Sequence, residues 1–332
     1  MTASTAGSTD LVPHAEEIVG AAGRAPSHHN AQPWAFRVEP GAVQVWVDRS
    51  RRMPVADPAD RQLLMGVGAA VYGVRLALAA LSGRSRVRLL PDRREPDLAA
   101  VVEAVGVAGP TDEEARLYAE LGMRRTVRGP FTEEPLPVPL QVALAGAAQA
   151  EGAALRWVAA AGERRGLAAL AVTAEREQQA DPAFRAELAR WVGSPEGGRA
   201  GVPVAVVGPS AGAGHAAEFP LRDFTGGRRD LAGWDERPEA HPTVAVLTTP
   251  GDGPTDWLQA GQALHRLLLV ASAAGVSASY LNQPLEIDRL RTRVRDELRL
   301  DDHPQLILRL GRPASPPHAL TPRRPRAELL RH

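Results

Sequence analysis

Two residue types are missing from this 332-residue sequence: cysteine and lysine. Without cysteine there can be no disulfide, no thiolate metal site and no cysteine nucleophile. Without lysine there is no Schiff-base amine and no P-loop lysine, so neither pyridoxal phosphate chemistry nor a Walker motif fits. All 39 basic residues are arginine. An arginine-only basic set beside abundant Ala, Gly and Pro is the mark of a GC-rich genome. A net charge of one sign is also lacking: 39 acids balance the arginines, which argues against a general nucleic-acid or membrane-surface binder. Residues 1–10 have none of the basic and apolar regions of a signal peptide, and no apolar run reads as long enough to span a bilayer. The expected location is cytoplasmic. What is present is ordinary globular material, 44% apolar, enough to build one large domain or two smaller ones.

Against that background residues 25–34 stand out, reading A-P-S-H-H-N-A-Q-P-W. Pro26 and Pro33 bracket small and amide side chains, and proline bars helix at the residue before it. The segment is a shaped loop between a helix (residues 12–23, with Asp10 as cap) and a strand opening at Trp34. It offers a hydroxyl (Ser27), two imidazoles (His28, His29) and two amides (Asn30, Gln32), the equipment of a binding site. On an extended loop adjacent residues point opposite ways, so the two histidines are not expected to share a metal ion. No metal site is expected.

Further along, residues 34–38 and 43–47 alternate around Glu39-Pro40-Gly41-Ala42, the pattern of a β-hairpin. Residues 60–81 form a long apolar helix containing Gly66, Gly68 and Gly73, small residues that let another helix or a ligand come close. Residues 86–90 read as a strand, and 98–107 fit helix or strand. Helices follow at 112–125, 139–151, 162–179 and 182–192, with a strand at 155–159. Residues 193–241 are Gly, Pro and charge with little periodicity, an insert of the kind that forms lids. Strands at 244–249, 277–280 and 305–310 alternate with helices at 256–274 and 286–298, and a Pro/Arg-rich tail follows. A loose internal repeat emerges: strand 43–47, Asp60 and a Gly/Ala-rich helix, against strand 244–247, Asp256 and the helix with Gly261.

Two further segments bear chemistry. Arg124-Arg125-Thr126-Val127-Arg128 places three guanidiniums and a hydroxyl within five residues, and Thr321-Pro322-Arg323-Arg324-Pro325 adds two more guanidiniums. Arginine suits bidentate phosphate recognition; a helix C-terminus rich in bases and a solvated basic tail are the plainer readings. There is no G-x-S-x-G elbow, and the glycines of 66–73 lie within a helix rather than after a strand, so they are no dinucleotide fingerprint.

Together these segments resemble the nitroreductase superfamily of FMN-dependent oxidoreductases, and in particular the actinobacterial Acg-like branch with two fused nitroreductase-like halves. The loop at 25–34 is similar to the family's A-P-S-x-x-N-x-Q-P-W, and R-R-T-V-R-G-P-F (124–131) to its R-R-S/T-x-R opening. D-R-S-R-R-M-P-V-A-D-P (48–58) and G-A-A-V-Y-G-V-R-L-A-L (68–78) are similar to the Acg branch, and L-N-Q-P (281–284) and G-R-P (311–313) complete the likeness. The resemblance implies an α+β fold: mixed, mainly antiparallel sheets flanked by helices, two halves forming an intramolecular pseudo-dimer. The halves are 10–110, supplying the P-S-x-x-N loop, and 111–332, supplying the arginines, with a lid-like insert at 193–241.

The resemblance further implies FMN, with its phosphate and ribityl chain held by Arg124, Arg125, Thr126 and Arg128 and closed upon by Arg324 and Arg323 of the tail. Pro26, Ser27, His28 and Asn30 are expected against the flavin, and Leu281, Asn282 and Gln283 beside its N5, where a backbone N–H tunes the ring. Because the loop occurs only in the first half and the arginine cluster only in the second, one site per chain is expected. Gly73 and Tyr280 depart from the branch, which has Asn and Pro there; Gly73 is expected to remove a polar group near the site, and Tyr280 to narrow a substrate pocket. The implied function is electron transfer from NAD(P)H to a nitroaromatic, quinone or similar acceptor in a monomer, with no nucleic-acid or membrane partner. The alternatives are FMN storage beneath a lid, and dehydrogenation or oxidation of a specialised metabolite or modified peptide.

Overall fold

Pro40 and Gly41 turn the chain between β1 (Trp34–Glu39) and β2 (Ala42–Val47), Gly41 taking the positive φ of 81° that the turn needs beside a proline. The computed structural model describes residues 10–193, 199–203, 218–219, 221–224, 239–315 and 321–331. Strands β3 (Gly83–Leu89) and β4 (Leu98–Val107) complete an antiparallel sheet of order β1-β2-β4-β3. Residues 98–107 are thus strand, register being set by pairing on both sides of β4. A second antiparallel sheet has β5 (Ala154–Trp157), β6 (Thr243–Thr249), β7 (Ser277–Tyr280) and β8 (His303–Gly311) in the same pattern, β5-β6-β8-β7. β6 and β8 occupy its centre and are buried almost throughout, which explains the apolar stretches 244–247 and 306–308. The fold is α+β, as expected.

Each sheet rests on a twenty-residue helix, α2 (Arg61–Ala80) and α7 (Pro254–Ala273), and the two helices pack on each other at the centre of the molecule. The repeat seen in the sequence is therefore carried into these helices, with one correction. Asp60 caps α2 and its counterpart is Gly253, the cap of α7; Asp256 lies three residues inside and reaches back to the Gly253 N–H at 2.9 Å. The crossing is close because it is glycine on backbone. A Cβ at Gly68 would stand 2.1 Å from the Leu258 carbonyl oxygen, and one at Gly261 would stand 2.0 Å from that of Met65. α2 also corrects the expectation that no apolar segment reaches membrane-spanning length. It passes that test by length and composition, at a mean hydropathy of 1.8, yet 89% of the stretch is buried within the protein.

The remaining helices are α1 (Ala15–Ala22), α3 (Asp112–Glu120), α4 (Val138–Gln149), α5 (Ala161–Ala180), α6 (Pro182–Trp191), α8 (Asp288–Glu297) and α9 (Arg326–Leu329). α3 opens with a capping box between Thr111 and Glu114 and ends at Glu120, short of the expected residue 125. The chain then turns, and residues 126–127 leave as extended backbone against β7, the Val127 N–H donating to the Ala278 carbonyl at 3.0 Å. Most of the expected insert, residues 194–198, 204–217, 220 and 225–238, lies outside the described residues. The tail returns to the first sheet: Leu330 bridges Phe36 and the Arg331 N–H donates to the Phe36 carbonyl at 2.7 Å.

Candidate active site

Residues 25–34 are not extended. Asn30 N–H donates to the Ser27 carbonyl at 3.0 Å and Ala31 N–H to that of His28 at 2.9 Å, closing a tight turn over His28–Asn30. His29, Asn30 and Gln32 all take positive φ, 44°, 56° and 54°. Asparagine and histidine tolerate that region; for glutamine it is strain that surrounding bonds must hold. They do: Ser27 Oγ accepts from the Gln32 N–H at 2.9 Å, and the Gln32 side chain bonds the carbonyls of Asn30 and Arg199. The turn also overturns the opposed-histidine expectation, since the rings of His28 and His29 lie 4.0 Å apart at 40°.

The turn forms one wall of a cavity of about 1070 Å³, measured to include its open mouth. Gln62, Met65 and Gly66 of α2 form the floor, and Gly66 admits the loop because Ser27 Cβ would sit 3.2 Å from a side chain there. Arg124, Thr126 and Arg128 enter from the opposite side, Tyr280 and Asn282 from the end of β7, and Thr321 and Arg323 from the tail. Pro26, Ser27, His28, Asn30, Arg124, Thr126, Arg128, Tyr280, Asn282 and Arg323 thus meet in one cavity. Arg125, Leu281, Gln283 and Arg324 are not among its lining residues. Arg125 folds back onto the carbonyls of Gly122 and Arg124. Leu281 is packed in the core, and Gln283 is fully buried beside it. Arg324 clamps the tail instead, donating to the Gln32 and Trp34 carbonyls at 3.2 Å and to Asp48 at 3.3 Å. Gly73 is no part of the site: a Cβ there would meet the Ala22 Cα at 2.8 Å, so the glycine serves the crossing of α1 and α2.

The cavity is electrostatically two-sided. On one side stand Arg124, Arg128 and Arg323, and among the described residues none of the three meets a carboxylate. Burial pushes Arg128 down to about 10, and burial with Arg124 and Arg24 nearby pushes Arg323 down to about 9. Arg124 Nε, Arg128 NH1 and Arg323 Nε are buried without an acceptor among the described residues. Burying cations in this way is unfavourable unless an anion completes the site. Tyr280 stands among them, its hydroxyl bonded to Thr126 and its pKa pushed up by burial. Asn30 organises this side: its amide donates to Gly201 and Pro322 carbonyls at 3.1 and 3.0 Å, and its oxygen accepts from Arg323 at 3.1 Å.

The other side is a polar cluster around Glu286, which sequence reasoning placed only as a helix start. Its Oε2 accepts from Arg222 at 2.6 Å and Gln178 at 2.7 Å, and its Oε1 faces Gln62 at 3.3 Å and His28 Nε2 at 3.5 Å. Burial alone would raise this carboxyl; Arg222 and the histidine overcome it and hold the group well below the ordinary range. Arg222 and Phe224 come from the insert, and Phe224 packs against the His29 ring and beneath the Arg128 guanidinium, 5.5 and 5.2 Å away. Nothing in the local sequence marks Arg222, Phe224 or Gln62; an acid within the apolar run L-N-Q-P-L-E was the available signal for Glu286.

The nitroreductase family model matches residues 121–312. Across 92% of its length the sequence is 31% identical to an uncharacterized protein of Mycobacterium tuberculosis, of which 90% is covered. It is 31% identical to a putative NAD(P)H nitroreductase of that organism, over 87% of this chain and 82% of the relative. The chain belongs to the nitroreductase family. A second putative NAD(P)H nitroreductase from M. tuberculosis, acg, is 30% identical over 97% of this nitroreductase and 95% of its own length. The protein is an oxidoreductase of the nitroreductase type, and a flavin is the family's redox group. The matched region holds Arg124 and Arg128 but stops short of both the 25–34 loop and the tail, so this nitroreductase draws its cavity from beyond the family segment.

Proposed function

We propose that this nitroreductase binds one FMN in the cavity and uses it to pass electrons from NAD(P)H to a nitroaromatic, quinone or similar acceptor. The observation that supports this most directly is the set of three buried guanidiniums with orphaned N–H groups and no carboxylate partner among the described residues, an arrangement that fits a phosphate. In this reading Arg124, Arg128 and Arg323 grip the phosphate, with Thr126 and Arg125 behind them. Pro26, Ser27, His28 and Asn30 face the ring together with Asn282, while Leu281 and Gln283 hold that strand end in place. Arg324 acts at one remove, keeping the tail on the first half so that Arg323 reaches the cavity. When bound, FMN supplies the two-electron chemistry; the chain orients it and keeps water from it. The names of the M. tuberculosis relatives support the nicotinamide as reductant. The two halves, 10–110 and 111–332, are read as fused units that share one site, as a pseudo-dimer would.

The test is spectroscopic. Purified protein should carry a flavin that NAD(P)H bleaches without oxygen, and Arg124→Ala with Arg128→Ala should be colourless. A loaded protein that NAD(P)H leaves yellow refutes the reductase reading.

One observation favours a second reading, storage of FMN. Leu221, Arg222 and Phe224 of the insert line the cavity, and the buried Arg222–Glu286 pair fastens them there. If storage is the role, Arg222→Ala with Phe224→Ala should speed FMN release at least ten-fold without raising turnover.

A further inference from the structure

Reduction of a quinone or nitro group needs protons as well as electrons, and the arginine side of the cavity is a poor source of them. The other side is not. His28 lines the cavity with its side chain 11% exposed; its Nε2 is buried, has no hydrogen-bond partner among the described residues and stands at an ion-pair distance of 3.5 Å from Oε1 of Glu286, itself 1% exposed. Glu286 divides its oxygens: Oε2 is taken by Arg222 and Gln178, and Oε1 is left to His28 and Gln62. Gln62 is held in turn by Asn282, whose amide donates to it at 3.4 Å, and Asn282 Oδ1 accepts from the Ile307 N–H at 2.9 Å. The carboxylate is thus fixed by three hydrogen-bonding neighbours, Arg222, Gln178 and Gln62, with His28 facing it, rather than free to swing.

We propose that His28 is the proton donor to the electron acceptor, and that Glu286 is its positioning residue. This rests on the reading of the cavity given above. Glu286 faces the Nε2 edge and orients the ring, leaving Nδ1–H to be given up. The balance closes. A quinone becoming a hydroquinone gains a hydride, derived in net from NAD(P)H, which leaves as NAD(P)+, and one proton from His28 Nδ1, which solvent restores. The charged and titratable groups about His28 are Glu286, its stacked neighbour His29, Asp57, and Arg222 beyond Glu286, with Arg128 acting on His29. His29 does not serve in the same way: burial and then His28 hold it well below the ordinary histidine range, which disfavours a proton on its ring.

The experiment compares two acceptors on protein reduced with dithionite, so that it does not depend on the nicotinamide. Ferricyanide takes electrons alone; a benzoquinone takes a proton too. In stopped flow the ratio of quinone to ferricyanide reoxidation rates should fall roughly ten-fold or more in His28→Asn, and by a smaller factor in Glu286→Gln. A ratio unchanged in both variants overturns the proposal. So does an equal fall in both rates, which marks His28 as structural. A second readout needs no flavin: nitrogen-15 histidine NMR of the flavin-free chain should show a protected His28 Nε2–H that Glu286→Gln removes, and its absence in the wild type also overturns the proposal. Failure of NAD(P)H to bleach the wild type would instead count against the reductase reading alone.

Discussion

Arg128 is a cation that the fold by itself does not need. Its NH1 has no acceptor among the described residues, and burial holds its pKa down to about 10. Arg128→Met should therefore abolish flavin retention while raising the stability of the flavin-free protein by about 1–2 kcal/mol, read from urea unfolding of the stripped protein. A less stable variant would mean that the guanidinium has an unrecognised structural partner. His265 gives a pH prediction. It is fully buried between α7 and α2, its Nδ1 2.6 Å from the Ala69 carbonyl oxygen, and burial with Arg124 nearby drops it to about 3. Between that value and the unfolded one near 6.5, only the unfolded chain takes up the proton, so acidification favours unfolding. Stability should fall by up to about 1.4 kcal/mol per pH unit on this account below pH 6, and His265→Gln should flatten the slope in denaturation series at stepped pH. At this scale the sequence was legible where residue type and spacing coincide, as in Ser27 to Asn30 or Arg124 to Arg128. It was silent on Arg222 and Glu286, because a salt bridge spanning 64 positions leaves no local trace.

The α2–α7 crossing decides the architecture. Equivalent residues meet across it, Tyr72 of α2 against His265 of α7 with ring centres 5.8 Å apart, each the twelfth residue of its helix. Gly68→Ala and Gly261→Ala put a methyl group onto a carbonyl of the facing helix, and each should cost about 2–4 kcal/mol. Gly146→Ala in α4, where nothing stands within 4 Å, should instead stabilise by about 0.5–1 kcal/mol. Urea midpoints of the three variants check this, and equal midpoints would show that the helices slide apart freely. Alternation, prolines and caps located most strands and helices within a few residues, but left 98–107 open between helix and strand and ran α3 five residues too far. What they hid was the partner of each face. The same glycine signal at 66, 68 and 73 serves three separate neighbours: the loop, α7 and α1.

For the whole molecule, the reading of one shared site predicts one FMN per chain by absorbance against protein mass, and two per chain would end that reading. Arg324→Ala, which loosens the tail from Asp48 and the first sheet, should speed FMN loss several-fold while leaving the far-UV spectrum unchanged, measured by dilution into excess apoflavodoxin-type scavenger. The proposed division between halves rests on where the two motifs fall in the sequence. The strap was not, because a basic proline-rich tail looks the same whether it is docked or solvated. The span of the cavity lining, from Pro26 to Arg323, also has a meaning for synthesis. A nascent chain presents its first wall early and its last contact almost three hundred residues later, so no partly translated chain can hold the ligand. In the reading of one shared site, loading waits for the tail. Until then the three cations wait uncompensated, and in a flavin-starved cell the freshly made protein should be the form that proteases remove first.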